Sequence, residues 1–211
     1  MSAKDNGGKN MIFAYNKAHV GDTLMVIVSN DNGTENTVIR KWNVAQIKDE
    51  TGQIVGWNFF HISDHLKIEG NGQVKLTEEQ IAQLNRLIKE AGFEETLTEE
   101  NEPKIVVGYV KTCVPHPDSD HLSITETQVG KEEVLQIVCG APNIEAGQKV
   151  VVAKPGAMMP DGMMIWPGTL RGVESHGMIC SAKELQLPDA PKEKGILVLP
   201  EDAVIGEAFP K

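Results

Sequence analysis

The stretch "ETLTEENEP", Glu95 to Pro103, constrains this chain more than any other feature. It is acidic and polar and ends in a proline, which lacks a backbone N–H and biases the residue before it away from helix. The chain divides at this acidic, polar segment into residues 11–94 and residues 104–211, with 95–103 as linker. Each part must then build its own core, and the 40% hydrophobic content is enough for that. The first ten residues, "MSAKDNGGKN", are polar and carry no apolar leader segment. They read as a disordered lead-in or an expression remnant, with Met11 a candidate natural start.

In the first part the strongest local signal is a helix. Thr77 stands three residues before Gln80 in a capping-box pattern, Ile81, Leu84, Leu87 and Ile88 recur at helical spacing, and Gly92 marks the stop. Upstream, "DTLMVIVSN" and "NTVIRKW" read as strands parted by a tight turn at Asn32-Gly33, and "NVAQIKD" and "QIVGWNFFHI" bracket "ETG". The expectation is a small antiparallel sheet carrying one helix, with Trp42, Trp57, Phe59 and Phe60 in its core.

After Pro103 the texture changes to short strands broken by Gly and Pro. "KIVVGYVKTCV", "LSITETQV", "EVLQIVCG", "QKVVVAKPG", "GTLRGVES" and "GILVLP", with one brief helix at "SAKELQL", predict a compact Greek-key barrel. The fold class expected for the whole chain is therefore α+β, mostly β.

Charge and cysteine usage exclude several functions. Residues 11–102 carry six Lys and two Arg against four Asp and eleven Glu, net −7; residues 103–211 carry nine Lys and one Arg against five Asp and nine Glu, net −4. Neither part is a generic polyanion binder, so RNA would have to be held by a local basic patch. Cys113, Cys139 and Cys180 are odd in number and widely spaced, which fits buried thiols in a reducing cytoplasm rather than a disulfide framework or a zinc site. No apolar run is long enough to span a bilayer. Neither a paired nucleophile and base nor a phosphate loop is present, so no catalytic residue, metal or cofactor is assigned.

Three stretches hold the candidate binding residues. "PHPDSDHL" reads as a rigid corner whose carboxylates accept backbone N–H groups. "VCGAPN" places Cys139 at the end of a buried strand, with no adjacent cation to favour a thiolate. In "LRGVESHGMICSAKEL", Arg171 sits where a strand emerges, Gly172 and Gly177 permit unusual dihedrals, and Ser181 with Glu184 forms a second capping box. Ser175 and Met178 are either a bulged turn and a core methionine or part of a binding rim. The Met158–Trp166 loop, "MMPDGMMIW", either stacks Trp166 on a base or packs at a subunit interface. The interface is favoured, because Pro155 to Leu170 contain no cation.

From Lys104 onward, "VVGYVKTCVPHPDSDHLSITETQVG", "LQIVCGAPNIEAGQKVVVAKPGAMMPDG", "LRGVESHGMICSAKELQL" and "GILVLPEDAVIGEAF" follow in order. Together they resemble the tRNA-binding barrel at the N-terminus of the bacterial phenylalanyl-tRNA synthetase β subunit. They are similar more broadly to stand-alone tRNA-binding proteins and to the endothelial monocyte-activating polypeptide domain. A small domain ahead of such a barrel resembles the YtpR type of stand-alone protein. The resemblance implies that the Greek-key barrel of residues 104–211 is an OB-fold, in a non-catalytic protein that binds tRNA or other structured RNA as an accessory to translation. It also implies that the corner commonly reading HPxADKL contacts tRNA through its lysine, a position held here by His121, with Ser119 in place of the alanine. Ser175 and Met178 match positions on the tRNA-facing surface. With Lys111, Lys149, Lys154 and Arg171 as phosphate partners, these seven residues form the expected RNA-binding set, and homodimerisation through the Met158–Trp166 loop is a second expectation. The rival from another class is a protein-interaction or chaperone-like module.

Overall fold

The structure, a computed structural model, describes residues 11–31, 33, 35–98 and 102–209. The lead-in 1–10, Asn32 of the expected turn and residues 99–101 of the linker lie outside the described residues. The chain forms two compact units, 1–101 and 102–211.

The first unit is a six-stranded antiparallel sheet with one helix. Its strands are β1 (Ile12–Tyr15), β2 (Thr23–Ile27), β3 (Thr37–Lys41), β4 (Val44–Lys48), β5 (Ile54–Phe60) and β6 (Gly72–Val74), in the order β3-β4-β5-β2-β1-β6. The expected hairpin between β2 and β3 does not form: β2 pairs with β1 and β5, and β3 pairs with β4. The two-residue turn that matters is Trp42-Asn43, where a tryptophan takes φ 56°. That left-handed conformation costs a residue with a Cβ about 1–2 kcal/mol. Trp42 is therefore a turn residue, 88% exposed, and not part of the core. Trp57 and Phe59 are buried as expected, whereas Phe60 is half-buried beneath the Arg40 guanidinium, 4.0 Å from its ring centroid. β1 and β6 have no counterpart in the sequence reading, being only 4 and 3 residues long.

Helix α1 (Glu78–Glu90) begins as its sequence dictates. The Thr77 hydroxyl accepts from Gln80 N–H, and the Gln80 side chain accepts from Thr77 N–H at 2.9 Å. It ends in a Schellman arrangement, with Phe93 N–H donating to Ile88 O and Gly92 N–H to Lys89 O. Ile81, Leu84 and Ile88 are buried against Trp57, Phe59, Leu24 and Val44. Phe93 meets Trp57 edge to face at 5.2 Å. Full burial of a Leu or Ile side chain is worth roughly 1.5–3 kcal/mol, so this face fixes the helix on the sheet.

The second unit is a strongly curved sheet that nearly closes on itself. Its strands β7 (Ile105–Pro115), β8 (Ser123–Gln128), β9 (Val134–Cys139), β10 (Lys149–Ala153), β11 (Gly168–Leu170), β12 (Val173–Ser175), β13 (Met178–Ile179) and β14 (Val198–Leu199) give the order β13-β10-β7-β8-β9. β14 adds to β10, and β11-β12 form a separate hairpin. A bulge at Lys111 bends β7, the extra residue that the ladder with β8 skips. Closure comes from β9 reaching the segment after β12: His176 N–H donates to Gln136 O, Gln136 Nε2 donates to Glu174 O, and Val138 N–H donates to Ser175 Oγ. Gly177 lets the same segment pass close against β10. Its φ is 139°, and a Cβ there would lie 2.8 Å from Ala153 O.

β10 alternates between two cores. Val150 and Val152 face Val106, Val110, Ile137 and Ile179 inside the barrel, while Val151 and Ala153 face Ala157, Met159, Ile165, Cys180 and Leu185. That second cluster absorbs most of the methionine-rich loop. Residues 156–165 fold back as a tight hairpin, with Gly156 N–H donating to Ile165 O and Met159 N–H to Met163 O. Met163 is left exposed, and Met158, Met164 and Trp166 half-buried.

Two local readings change. "GTLRGVES" is not one strand but the hairpin β11-β12, because Arg171 and Gly172 both take positive φ, 46° and 83°. "SAKELQL" is not a helix. The box between Ser181 and Glu184 is present, with Ser181 N–H donating to Glu184 Oε2 at 2.7 Å, but the chain leaves after one turn at Gln186, φ 50°.

Candidate nucleic-acid interface

The site is assembled from the corner after β7 and the tip of the β11-β12 hairpin. His116 organises it. The ring is buried at 3% exposure, and its Nδ1 accepts the Asp118 N–H at 3.0 Å. That fixes the hydrogen on Nε2, which donates to Leu170 O at 3.2 Å. The corner closes with His116 N–H donating to Leu122 O. The Asp120 carboxyl takes a backbone hydrogen bond, as a corner of this kind should, and the His116 imidazole is a second acceptor that the sequence does not announce. Arg171 completes the junction, donating from Nη1 to Asp118 O at 2.9 Å.

His121 and Arg171 are both exposed, and Arg171 is tied to the corner that carries His121. His121 lies 2.8 Å from Asp120 Oδ1 and 3.3 Å from Ser119 Oγ. The His121 hydrogen bond holds the Asp120 carboxyl below its usual range. Arg171 uses one guanidinium nitrogen internally, and its other N–H groups have no partner among the described residues. Val114 and Leu170 are exposed, supplying apolar area beside the polar groups. Val114, Ile124 and Val138 stand abreast across β7, β8 and β9. Lys111, at the bulge of β7, is exposed with no hydrogen bond or ion pair among the described residues.

The other expected residues are placed differently. Lys154 is buried at 8% exposure and pairs with Glu133 at 2.6 Å, with Glu102 at 3.9 Å. Lys149 donates to the carbonyls of Glu201 and Ala203, tying down the loop after β14. Ser175 is buried at 4%; its hydroxyl accepts from Val138 N–H and donates to Gly177 O. These three hold the barrel together, and their polar groups are occupied. Met178 is half-buried, its side chain packed on the cluster around Val151 and Cys180.

Two residues matter that sequence reasoning missed. His116 was read only as part of a turn. Asn143 clamps the segment before β14, its Oδ1 accepting Ile196 N–H and its Nδ2 donating to Ile196 O. Neither has a local signal, since each acts on a residue more than fifty positions away. Among the described residues no group of His, Cys, Asp and Glu could hold a metal ion, and no helix is long and apolar enough to cross a membrane.

A small sheet-and-helix unit followed by an OB-fold barrel with a polar corner and hairpin rim defines a class of two-unit barrel proteins. Comparison narrows it. The family described as "Putative tRNA binding domain" matches residues 105–208, and "Domain of unknown function (DUF4479)" matches residues 31–100. "Putative tRNA-binding protein YtpR" of Bacillus subtilis is 50% identical over 196 residues, covering 92% of this chain and 97% of that protein. The chain belongs to the YtpR family. The "Phenylalanine--tRNA ligase beta subunit" of Oceanobacillus iheyensis is 54% identical over 129 residues, 59% of this chain but only 16% of that subunit. Among solved structures, the C-terminal domain of Plasmodium vivax p43 is 27% identical over 49% of this chain and 56% of that chain, at a TM-score of 0.37.

Proposed function

We propose that the second unit binds tRNA, without catalysis, through the surface formed by the corner 115–122 and the hairpin tip at Arg171. The observation that carries this reading is the junction of His116, Asp118, Leu170 and Arg171, which presents Arg171 and His121 from two segments remote in sequence. Arg171 pairs with phosphate, His121 hydrogen-bonds phosphate or stacks on a base, Lys111 adds charge along β7, and Met178 supplies apolar contact at the rim. The names of the family and of its relatives support tRNA as the ligand. With Lys149 and Lys154 occupied elsewhere, few phosphates are neutralised, and affinity is modest.

Filter binding of bulk tRNA across a salt series tests this. The log–log slope should lie between about −1 and −3, and Arg171→Ala should reduce its magnitude by roughly 1. His121→Lys should tighten binding by roughly 0.5–1.5 kcal/mol at neutral pH, the range of one charge-assisted contact. A slope near zero, or no response to either substitution, refutes the reading.

The cytoplasm is the compartment this reading requires, and three unpaired thiols support it. Homodimerisation through the Met158–Trp166 loop remains part of the proposal, resting on exposed Met163 and half-buried Met158, Met164 and Trp166. Sedimentation of Met163→Glu at tens of micromolar tests it; a mass equal to that of the wild type counts against this interface. Exposed Val114 and Leu170 favour the second reading, a protein-interaction barrel, and binding of tRNA that ignores salt would leave that one standing.

A further inference from the structure

The β3-β4 hairpin of the first unit carries features that the RNA reading does not use. β3 is an edge strand, and Thr37, Val38, Ile39 and Arg40 are all exposed. Val38 is 58% exposed, Ile39 38% and Trp42 88%. An apolar edge of this kind is ordinarily guarded by proline, a bulge or charged side chains. β3 contains no proline, and the register shift of this region lies between β4 and β5. Arg40 and Lys41 are charged, but both are folded onto the sheet. Arg40 lies over Phe60 and donates from Nε to Trp42 O; Lys41 lies over Phe93 at 4.3 Å and donates to Gly92 O. They flank the edge and leave Val38 and Ile39 uncovered.

The register shows which backbone groups are available. The hairpin closes on a two-residue turn, so Lys41 and Val44 form its first hydrogen-bonded pair. Alternation then directs the N–H and C=O of Thr37, Ile39 and Lys41 inward to β4, and those of Val38 and Arg40 outward. The charge is equally one-sided. Residues 36–48 hold Arg40, Lys41 and Lys48 and no carboxylate, within a segment, 11–102, whose net charge is −7.

We propose that this edge receives an extended acidic segment of a partner protein as an added antiparallel strand. Outward Val38 and Arg40 each exchange backbone hydrogen bonds with it. The antiparallel register sets two carboxylates opposite Lys41 and Arg40, followed by two apolar residues opposite Ile39 and Val38. Trp42, held rigidly in the turn, stands where the partner strand enters. A second copy of β3 brings no carboxylate to meet Arg40 and Lys41, since residues 36–48 hold none, so an acidic segment matches the edge better than self-pairing does. A nucleic-acid backbone has no alternating donors and acceptors to match a strand edge.

The test uses the full chain and a fluorescein-labelled peptide, Ser-Glu-Glu-Val-Ile-Thr, with Ser-Lys-Lys-Val-Ile-Thr as control. Fluorescence anisotropy should show saturable binding of the acidic peptide, tighter by about tenfold or more than the control. Val38→Pro removes one outward N–H and leaves the ladder to β4 intact, because the inward donors belong to Thr37, Ile39 and Lys41. It should weaken the peptide by about fivefold or more with the melting temperature and the tRNA affinity unchanged. Val38→Asp, which places a carboxylate against the acidic peptide, should weaken it similarly if the proline variant fails to fold. Absence of saturable binding, equal binding of the two peptides, or indifference to both variants overturns the proposal. Loss of tRNA affinity in Trp42→Ala would make the hairpin an RNA surface, and a dimer abolished by Val38→Pro would make it a self-pairing edge; either result overturns it as well.

Discussion

Lys154 decides between a structural and a ligand-binding role for the cations of the barrel, and its pairing predicts an asymmetry. The Lys154 side chain is 10% exposed and that of Glu133 is 44% exposed, at an N–O separation of 2.6 Å. Removing one partner of a fully buried pair costs about 3–5 kcal/mol, because the other charge is stranded. Here the two partners differ in what is stranded. Glu133→Gln leaves the Lys154 ammonium buried, with Glu102 at 3.9 Å as a weak substitute. Lys154→Met leaves Glu133 able to turn to water and puts an apolar chain of similar length in the buried position of the lysine stem. Discounting the buried-pair figure for the exposure of Glu133, the expected loss is about 2 kcal/mol for Glu133→Gln and under about 1 kcal/mol for Lys154→Met.

Calorimetric unfolding of both variants, with the double variant closing the cycle, measures these terms. At about 4–8 °C per kcal/mol for a unit of this size, Glu133→Gln should lower the melting temperature of the second unit by about 10 °C. Bulk tRNA affinity at matched salt should be unchanged in Lys154→Met. The reasoning is refuted if Lys154→Met destabilises more than Glu133→Gln. It is refuted equally if that variant keeps full stability yet loses tRNA affinity, with the salt slope reduced by about 1, since Lys154 would then be a phosphate ligand.

Other consequences follow from particular residues. Gln46 is 2% exposed and its Nε2 has no hydrogen-bond partner, so Gln46→Met should raise the stability of the first unit by about 1 kcal/mol, read as a higher denaturant midpoint. Burial pushes the Cys180 thiol up to about 12 and raises that of Cys139 too. DTNB at pH 8 should therefore modify only half-buried Cys113 in the native protein, and three thiols once it is unfolded; rapid reaction of a second thiol in the folded state contradicts this. At Asp22, burial raises the carboxyl pKa, but hydrogen bonds from Ser63 and Tyr15 and the charge of Lys17 outweigh it and leave the value lowered. A lowered folded value stabilises above the unfolded value of about 3.9 and is lost as pH falls through the folded one. Asp22→Asn should therefore destabilise near neutrality and flatten the loss of stability below about pH 4; an unchanged acid profile refutes that assignment.

How much of this was visible in the sequence depends on how far each residue's partner lies along the chain. The capping box at Thr77 and Gln80 spans three residues, and the structure reproduces it together with the helix stop at Gly92. Ser181 and Glu184 form a box as well, but a box starts a helix and cannot prolong it, and Gln186 ends the segment after one turn. Turns were misread where the usual residue was missing. Trp42 and Arg171 occupy positive φ without being Gly or Asn, so one hairpin was read with its tryptophan in the core and the other as a single strand. In both cases the local preference is overridden by the ladders on either side, which fix the turn length whatever residue fills it.

The proposed binding surface shows the same dependence at longer range, because the partners of several barrel cations lie far along the chain. Nothing near Lys154 announces Glu133, 21 positions away, and nothing near Lys149 announces the carbonyl of Ala203, 54 positions away. Both lysines were as plausible as Arg171 until the barrel closed and occupied them. Arg171 was retained for the opposite reason. Its one internal bond, to Asp118 O at a separation of 53 residues, spends a single guanidinium nitrogen and orients the rest. The resemblance supplied the corner and the rim as separate motifs, and His116 joins them, its two ring nitrogens engaging one segment each. In the proposed reading, His116 ties the corner to the hairpin that carries Arg171, so its placement bears on RNA binding more than the number of lysines does.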